Sequence, residues 1–149
     1  MNDVQQSFYK IYLLDDDQST LDLIEAMLDA DPGHYYEVSK YTSSPEALKA
    51  INFDPPDILI LDVNLPVING FEVCQKIKSS VSTSSVTVIL ITAYNSSFVW
   101  HDGLLVYRAD YYLAKPFKCE EFIRHIHSVI LLKSRRLTEH KNNLISKMI

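Results

Sequence analysis

Apolar residues along the chain alternate between short continuous runs and helical spacings. Ile11-Tyr12-Leu13-Leu14 is an apolar run that stops at three aspartates, as a buried strand does. Leu21, Leu23, Ile24, Met27 and Leu28 then recur three and four apart, which predicts an amphipathic helix. Ser19 and Thr20 are its candidate caps, and Asp31-Pro32-Gly33 ends it. Tyr35 to Tyr41 reads as a second strand. Ser44-Pro45 opens a second helix, with Ser44 as cap and proline at the first helical position. Ile58-Leu59-Ile60-Leu61 is a third strand, stopped by Asp62, and a helix carrying Phe71, Val73, Cys74 and Ile77 follows. Val86 to Ile91 is a fourth strand stopped by Thr92. A less regular helical pattern covers Asn95 to Tyr107. Tyr111-Tyr112-Leu113-Ala114 is a fifth strand stopped by Lys115-Pro116, and the pattern is helical from Cys119 onward. Five strands alternating with five helices through short loops predict an α/β fold, a parallel sheet covered on both faces.

Composition narrows the function classes. The 149 residues are 47% hydrophobic and 22% charged, an ordinary globular profile rather than a disordered one. The net charge of -5 argues against nucleic acid as a partner of this domain. Cys74 and Cys119 make no disulfide framework, no apolar run approaches membrane-spanning length, and the first residues lack a leader pattern. A cytoplasmic location and no membrane partner are the expectations. The charge is uneven, however. Lys133, Arg135, Arg136, Lys141 and Lys147 against Glu139 give residues 133–149 a charge of +4, which leaves -9 on residues 1–132.

The chemistry lies at the strand ends. In an open parallel sheet, ligands bind beyond the carboxyl ends of the strands. The residues there are Asp15 and Asp16, Asp62, Thr92 and Lys115. Clustered carboxylates repel unless a cation is present, and hard oxygen donors suit Mg²⁺. A nearby lysine and hydroxyl could bind phosphoryl oxygens, and an aspartate can itself form an acyl phosphate.

These residues resemble the receiver domains of two-component response regulators over roughly residues 10 to 130. The motifs are Lys10-Ile11-Tyr12-Leu13-Leu14-Asp15-Asp16-Asp17, then Asp57 through Asp62-Val63-Asn64-Leu65-Pro66-Val67-Ile68-Asn69-Gly70-Phe71-Glu72, then Ile91-Thr92-Ala93 and Ala109-Asp110-Tyr111-Tyr112-Leu113-Ala114-Lys115-Pro116-Phe117. The resemblance implies a doubly wound, flavodoxin-like five-stranded sheet of order 2-1-3-4-5. It implies Asp62 as phospho-acceptor, with Asp15, Asp16, Asp62 and the backbone carbonyl of Asn64 holding Mg²⁺. Asp17 is the alternative ligand within the triplet. Lys115 would pair with phosphoryl oxygens, Thr92 would bond one of them after phosphorylation, and Tyr112 occupies the aromatic switch position. Gly70 and a cis Lys115-Pro116 bond complete the pattern as conformational positions.

The implied partner is a sensor histidine kinase or phosphotransfer protein. The readout would lie on the fourth helix, fifth strand and fifth helix, a surface that could also form a homodimer. One alternative is a receiver fragment of a longer regulator with an enzymatic or DNA-binding output domain. Another is a Mg²⁺-dependent phosphohydrolase, but Asn64 stands where its general acid would, and no insertion is long enough for a cap. The expected organisation is an extension over 1–9, the receiver over 10–132, and a basic helical extension or linker over 133–149.

Several positions depart from the commoner pattern. Asn69 replaces the usual aspartate, and Arg108 stands where glycine usually precedes Ala109. Phe98, Val99, Trp100, Leu104, Leu105 and Tyr107 are too many for one helical stripe, which leaves Phe98 or Trp100 for an exposed contact. Tyr94 could shield an acyl phosphate from water. The five histidines read as surface residues and Cys74 as core. Ile123, Ile130, Leu137 and Leu144 recur every seven residues without a matching second seam, so the tail reads as a stalk or as a frayed solvated end.

Overall fold

The computed structural model describes residues 8–93 and 107–149. The predicted helix over 95–107, including Phe98 and Trp100, and the position of Tyr94 lie outside the described residues, apart from Tyr107 at its end. The chain divides into two compact units, Met1–Phe117 and Lys118–Ile149.

The first unit contains β1 (Phe8–Leu14), α1 (Gln18–Asp29), β2 (Tyr35–Tyr41), α2 (Ser44–Phe53), β3 (Ile58–Asp62), α3 (Gly70–Ser79), β4 (Thr87–Thr92) and β5 (Tyr111–Ala114). The five strands form one parallel sheet in the order β2-β1-β3-β4-β5. Strand alternation sorts the core into two layers. Tyr12, Leu14, Leu59, Leu61, Val88, Leu90 and Tyr112 join Ala47 and Ile51 of α2 and Val73, Cys74 and Ile77 of α3 in one buried cluster. Ile11, Leu13, Ile58, Ile60, Ile89 and Ile91 alternate with these and are equally buried. The buried face of α1, Leu21, Ile24 and Leu28, lies outside the first cluster. Each such side chain taken from water contributes roughly 1.5–3 kcal/mol, so the continuous apolar runs of β1, β3 and β4 are explained by burial on both faces.

Several boundaries differ from the sequence pattern. β1 begins at Phe8, inside the expected extension, because Phe8 and Tyr9 pair with Tyr35 and Tyr36. Asp17, not Ser19 or Thr20, caps α1: its carboxylate accepts from the Ser19 amide at 3.1 Å, the Ser19 hydroxyl at 2.8 Å and the Thr20 hydroxyl at 2.9 Å. Ser43 rather than Ser44 caps α2, which puts Pro45 at the second helical position. The Ser44 hydroxyl instead donates to the Ile68 carbonyl at 2.7 Å. β4 is shifted one residue, to Thr87–Thr92, since the Thr87 amide joins the ladder through the Asp57 carbonyl at 3.0 Å. His34 is half-buried rather than on the surface, edge-on to Tyr9 and beside Tyr36. Cys74 is core, as its spacing predicts, and its thiol contacts the Tyr107 carbonyl at 3.1 Å.

The second unit is one helix, Cys119–Met148, continuous through the basic segment. Its buried positions are Phe122, Ile126, Val129 and Ile130, and from residue 134 onward every residue is exposed.

Candidate functional site

The carboxyl ends of four strands assemble the site. Leu14 of β1 is in register with Leu61 of β3, so Asp15 and Asp62 each follow a paired position on adjacent strands. The Asp15 amide continues the ladder to the Tyr41 carbonyl at 3.1 Å, and the Lys115 amide continues β5 to the Thr92 carbonyl at 2.8 Å. The side chains then converge. Lys115 Nζ lies 3.0 Å from Asp62 Oδ2 and 3.3 Å from Asp15 Oδ2. The other oxygen of each carboxylate is bound by a main-chain amide two residues on. The Asp17 amide donates to Asp15 Oδ1 at 2.9 Å, and the Asn64 amide donates to Asp62 Oδ1 at 2.9 Å.

Two carboxylates thus share one ammonium. Burial pushes the Asp15 carboxyl above the usual aspartate range, opposed by the Asp17 amide and by Lys115, and helped by the charge of Asp62. Burial also pulls on Lys115, but its bonds to Asp62 and Asp15 outweigh this and hold it above the usual lysine range. Lys115 is therefore a fixed cation at neutral pH.

Asp16 is exposed at the same strand end and does not join Asp15 and Asp62 in a three-acid cluster among the described residues. The donor set nonetheless fits a Mg²⁺ ion, which keeps several waters and takes only one or two carboxylates from the protein. Asp15 would supply a buried carboxylate and Asp62 a partly buried one, with Asp16 next to the first and the Asn64 carbonyl two residues beyond the second. Asp17 is engaged as the cap of α1.

Thr92 is fully buried and hydrogen-bonds Tyr112, whose ring is also buried. Burial raises the Tyr112 phenol, and the bond to Thr92 opposes that. The Lys115-Pro116 bond is cis.

Gly70 is required by contact rather than by a left-handed backbone. A Cβ built there would lie 2.2 Å from the Asp62 carbonyl oxygen and 2.7 Å from Val63 Cα. Asn69 replaces aspartate without loss of function as a cap: its Oδ1 accepts from the Glu72 amide at 2.9 Å, and its Nδ2 donates to Glu72 Oε1 at 3.0 Å. Sequence reading missed the conformation of Val67, in the loop between β3 and α3, whose φ of 68° lies in the left-handed region. Nothing in Pro66-Val67-Ile68 signals it.

The family model that matches residues 11–127 is the response regulator receiver domain, and the chain belongs to that family. It is 39% identical over 107 residues to the response regulator PleD of Caulobacter vibrioides, covering 72% of this chain and 23% of PleD. It is 35% identical over 130 residues to the transcriptional regulatory protein YrkP of Bacillus subtilis, covering 87% of this chain and 51% of YrkP. The chain therefore spans about a quarter to a half of these relatives. Among solved structures, the receiver domain of the sensor histidine kinase PA1611 from Pseudomonas aeruginosa superposes with a TM-score of 0.73 at 27% identity, over 83% of this chain and 98% of that one. That structure holds a magnesium ion in its active-site cleft. Among the described residues, no helix is long and apolar enough to cross a membrane.

Proposed function

We propose that the chain is a phosphorylation-activated switch whose phospho-acceptor is Asp62. The observation that carries the reading is the uneven triad at the strand ends, in which Asp62 and Asp15 are held by the single cation Lys115. A histidine kinase or phosphotransfer protein supplies the phosphoryl group. Asp15, Asp16, Asp62 and the Asn64 carbonyl would hold Mg²⁺, which would supply positive charge to the phosphoryl oxygens. Lys115 already contacts Asp62 Oδ2 and is placed to follow the new oxygens. The Asn64 amide fixes the acceptor carboxylate through Oδ1. The added charge, about 1.5 to 2 negative units, draws the Thr92 hydroxyl away from Tyr112. Their shared bond therefore carries the change from the site into β5. The readout is carried by β5, and a homodimer is one form it can take.

The test is incubation with acetyl phosphate and Mg²⁺, followed by intact mass. The acetate leaves with its oxygen and electron pair as the P–O bond to Asp62 forms. Wild type gains one phosphoryl group and Asp62→Ala gains none. Unmodified wild type defeats the reading. Magnesium binding, followed separately by fluorescence or calorimetry, weakens in Asp15→Asn and in Asp16→Asn.

A second setting for the same switch is the receiver module of a longer regulator. The family match stops at residue 127, whereas the last helix runs on to Met148, and the chain matches only half of YrkP. The reading frame beyond Ile149 decides it.

A further inference from the structure

The apolar stripe of the last helix outlasts its burial. Ile126 and Ile130 are buried, and Leu137, Leu144 and Met148 continue the same line at spacings of seven, seven and four. Leu137 is 58% exposed and Leu144 49%. The neighbours of these leucines on the helix surface, three and four residues away, include Lys133, His140, Lys141 and Lys147. Two such tails laid stripe to stripe would press these basic side chains together, so the tail is a poor partner for itself. What covers it must offer an apolar line flanked by carboxylates.

The chain contains such a surface. Residues 16–31, which include all of α1, carry six acidic side chains and no lysine or arginine, against a charge of +4 on residues 133–149. Beyond its buried face, α1 has a second apolar line. Leu23 is 56% exposed, Ala26 and Ala30 are exposed, and Met27 is half-buried. These four fall three, four and seven residues apart, and the short alanines leave room beside Leu23 for another helix. Asp22 and Asp29 run along one flank of the line. Lys40 of β2 reaches Asp22 and Glu25, each at 3.0 Å, and is one cation among six acids. Asp29 lies in the last turn of α1, where the helix end is itself negative and no basic side chain offsets it. The lengths also match. The 12 residues of α1 span roughly 18 Å, and the exposed tail over 134–148 roughly 22 Å.

We propose that the tail of one copy lies along α1 of a second copy, and the reverse, so that two identical contacts close a dimer. Leu137 and Leu144 sit against Leu23, Ala26 and Ala30 of the other copy, and Lys141 and Lys147 reach its Asp22 and Asp29. Each surface belongs to the same chain, as a two-fold dimer requires. The inference is independent of the reading of Asp62.

The experiment measures the mass of the full chain by light scattering over a dilution series. Wild type passes from monomer to dimer with concentration, and high salt shifts it back toward monomer. Two charge-reversed chains are then compared. One carries Asp22→Lys and Asp29→Lys in α1, the other Lys141→Glu and Lys147→Glu in the tail. Each alone associates about tenfold more weakly than wild type. An equal mixture regains the wild-type dimer, because each tail then meets an α1 of opposite charge. Leu23→Gln and Leu137→Gln, both at exposed positions, also weaken association and serve if circular dichroism shows a reversed chain unfolded. A wild type that stays monomeric at every concentration overturns the proposal. So does a dimer that the α1 substitutions leave intact, which would place the tail on another tail or another surface. A mixture of the two folded reversed chains that stays monomeric overturns it as well.

Discussion

Two lysine–aspartate contacts sit at opposite ends of the same sheet, and their charge balance differs. At the amino end, Lys78 Nζ lies 2.6 Å from Asp110 Oδ2 and also donates to the Val86 carbonyl at 2.7 Å. Asp110 in turn accepts from the Val88 amide at 2.8 Å, and its own amide donates to the Val88 carbonyl at 3.0 Å. One cation meets one anion, and the main chain uses their remaining capacity. At the carboxyl end, Lys115 faces two carboxylates, and Asp15 is held above the ordinary aspartate range by its burial. The amino-end pair closes the sheet. The carboxyl-end triad keeps a negative surplus, two carboxylates against one ammonium. Their place in the fold decides which role each has, since both are built from the same residue types.

Substitutions at the two ends therefore move stability in opposite directions. The largest effect is expected at the amino end. Lys78→Ala leaves Asp110 and two strand-entry carbonyls without their cation in a site where the side chains are 11% and 19% exposed, and should cost about 2–3 kcal/mol. Chemical denaturation measures it, and a loss within error would remove the contrast.

Asp15→Asn should do the reverse and stabilise the fold, read as a higher melting temperature, while weakening Mg²⁺ binding. Asparagine keeps an acceptor for the Asp17 amide and removes the buried charge. The sign follows from linkage: a carboxyl raised on folding is no burden below pH 3.8, where folded and unfolded chains are both protonated, and becomes one as pH rises through its folded value. The gain of Asp15→Asn should therefore be full at neutral pH and vanish below about pH 3.8, as thermal melts across pH will show. A gain that persists in acid assigns the effect to packing instead.

The smallest effect belongs to Arg108, two residues before Asp110, whose φ of 60° lies in the left-handed region. Its guanidinium reaches the Ser79 hydroxyl only at 3.4 Å. Arg108→Gly should stabilise by about 0.5–1 kcal/mol without altering phosphorylation of Asp62. A loss of stability would show that the Ser79 contact outweighs the backbone.

The strands and the convergence of Asp15, Asp62 and Lys115 were legible because continuous apolar runs end in polar residues and a parallel sheet aligns those ends. Cap identity was less legible, since Asp17, Ser19 and Thr20 all have the chemistry of a cap and only the path of the chain chooses among them. The same holds for Ser43 against Ser44. Lys78 and Asp110 are far apart in the chain, and no local spacing announces their pairing. Val67 was invisible for another reason: its φ is left-handed, and Pro66-Val67-Ile68 carries no glycine or asparagine to mark it. Arg108 was noticed only as a departure from glycine, and its left-handed φ now gives that departure a cost.

Gly70 has a mechanical consequence. Only a hydrogen atom separates the first turn of α3 from the Asp62 carbonyl, and the Gly70 amide is bonded to the Val63 carbonyl on the next residue. The main chain at Asp62 is therefore held against a helix with little slack. Bending of β3 at this point is opposed by the first turn of α3. On the proposal that Asp62 accepts a phosphoryl group, Asp62 would be the fixed anchor and Thr92 the moving part.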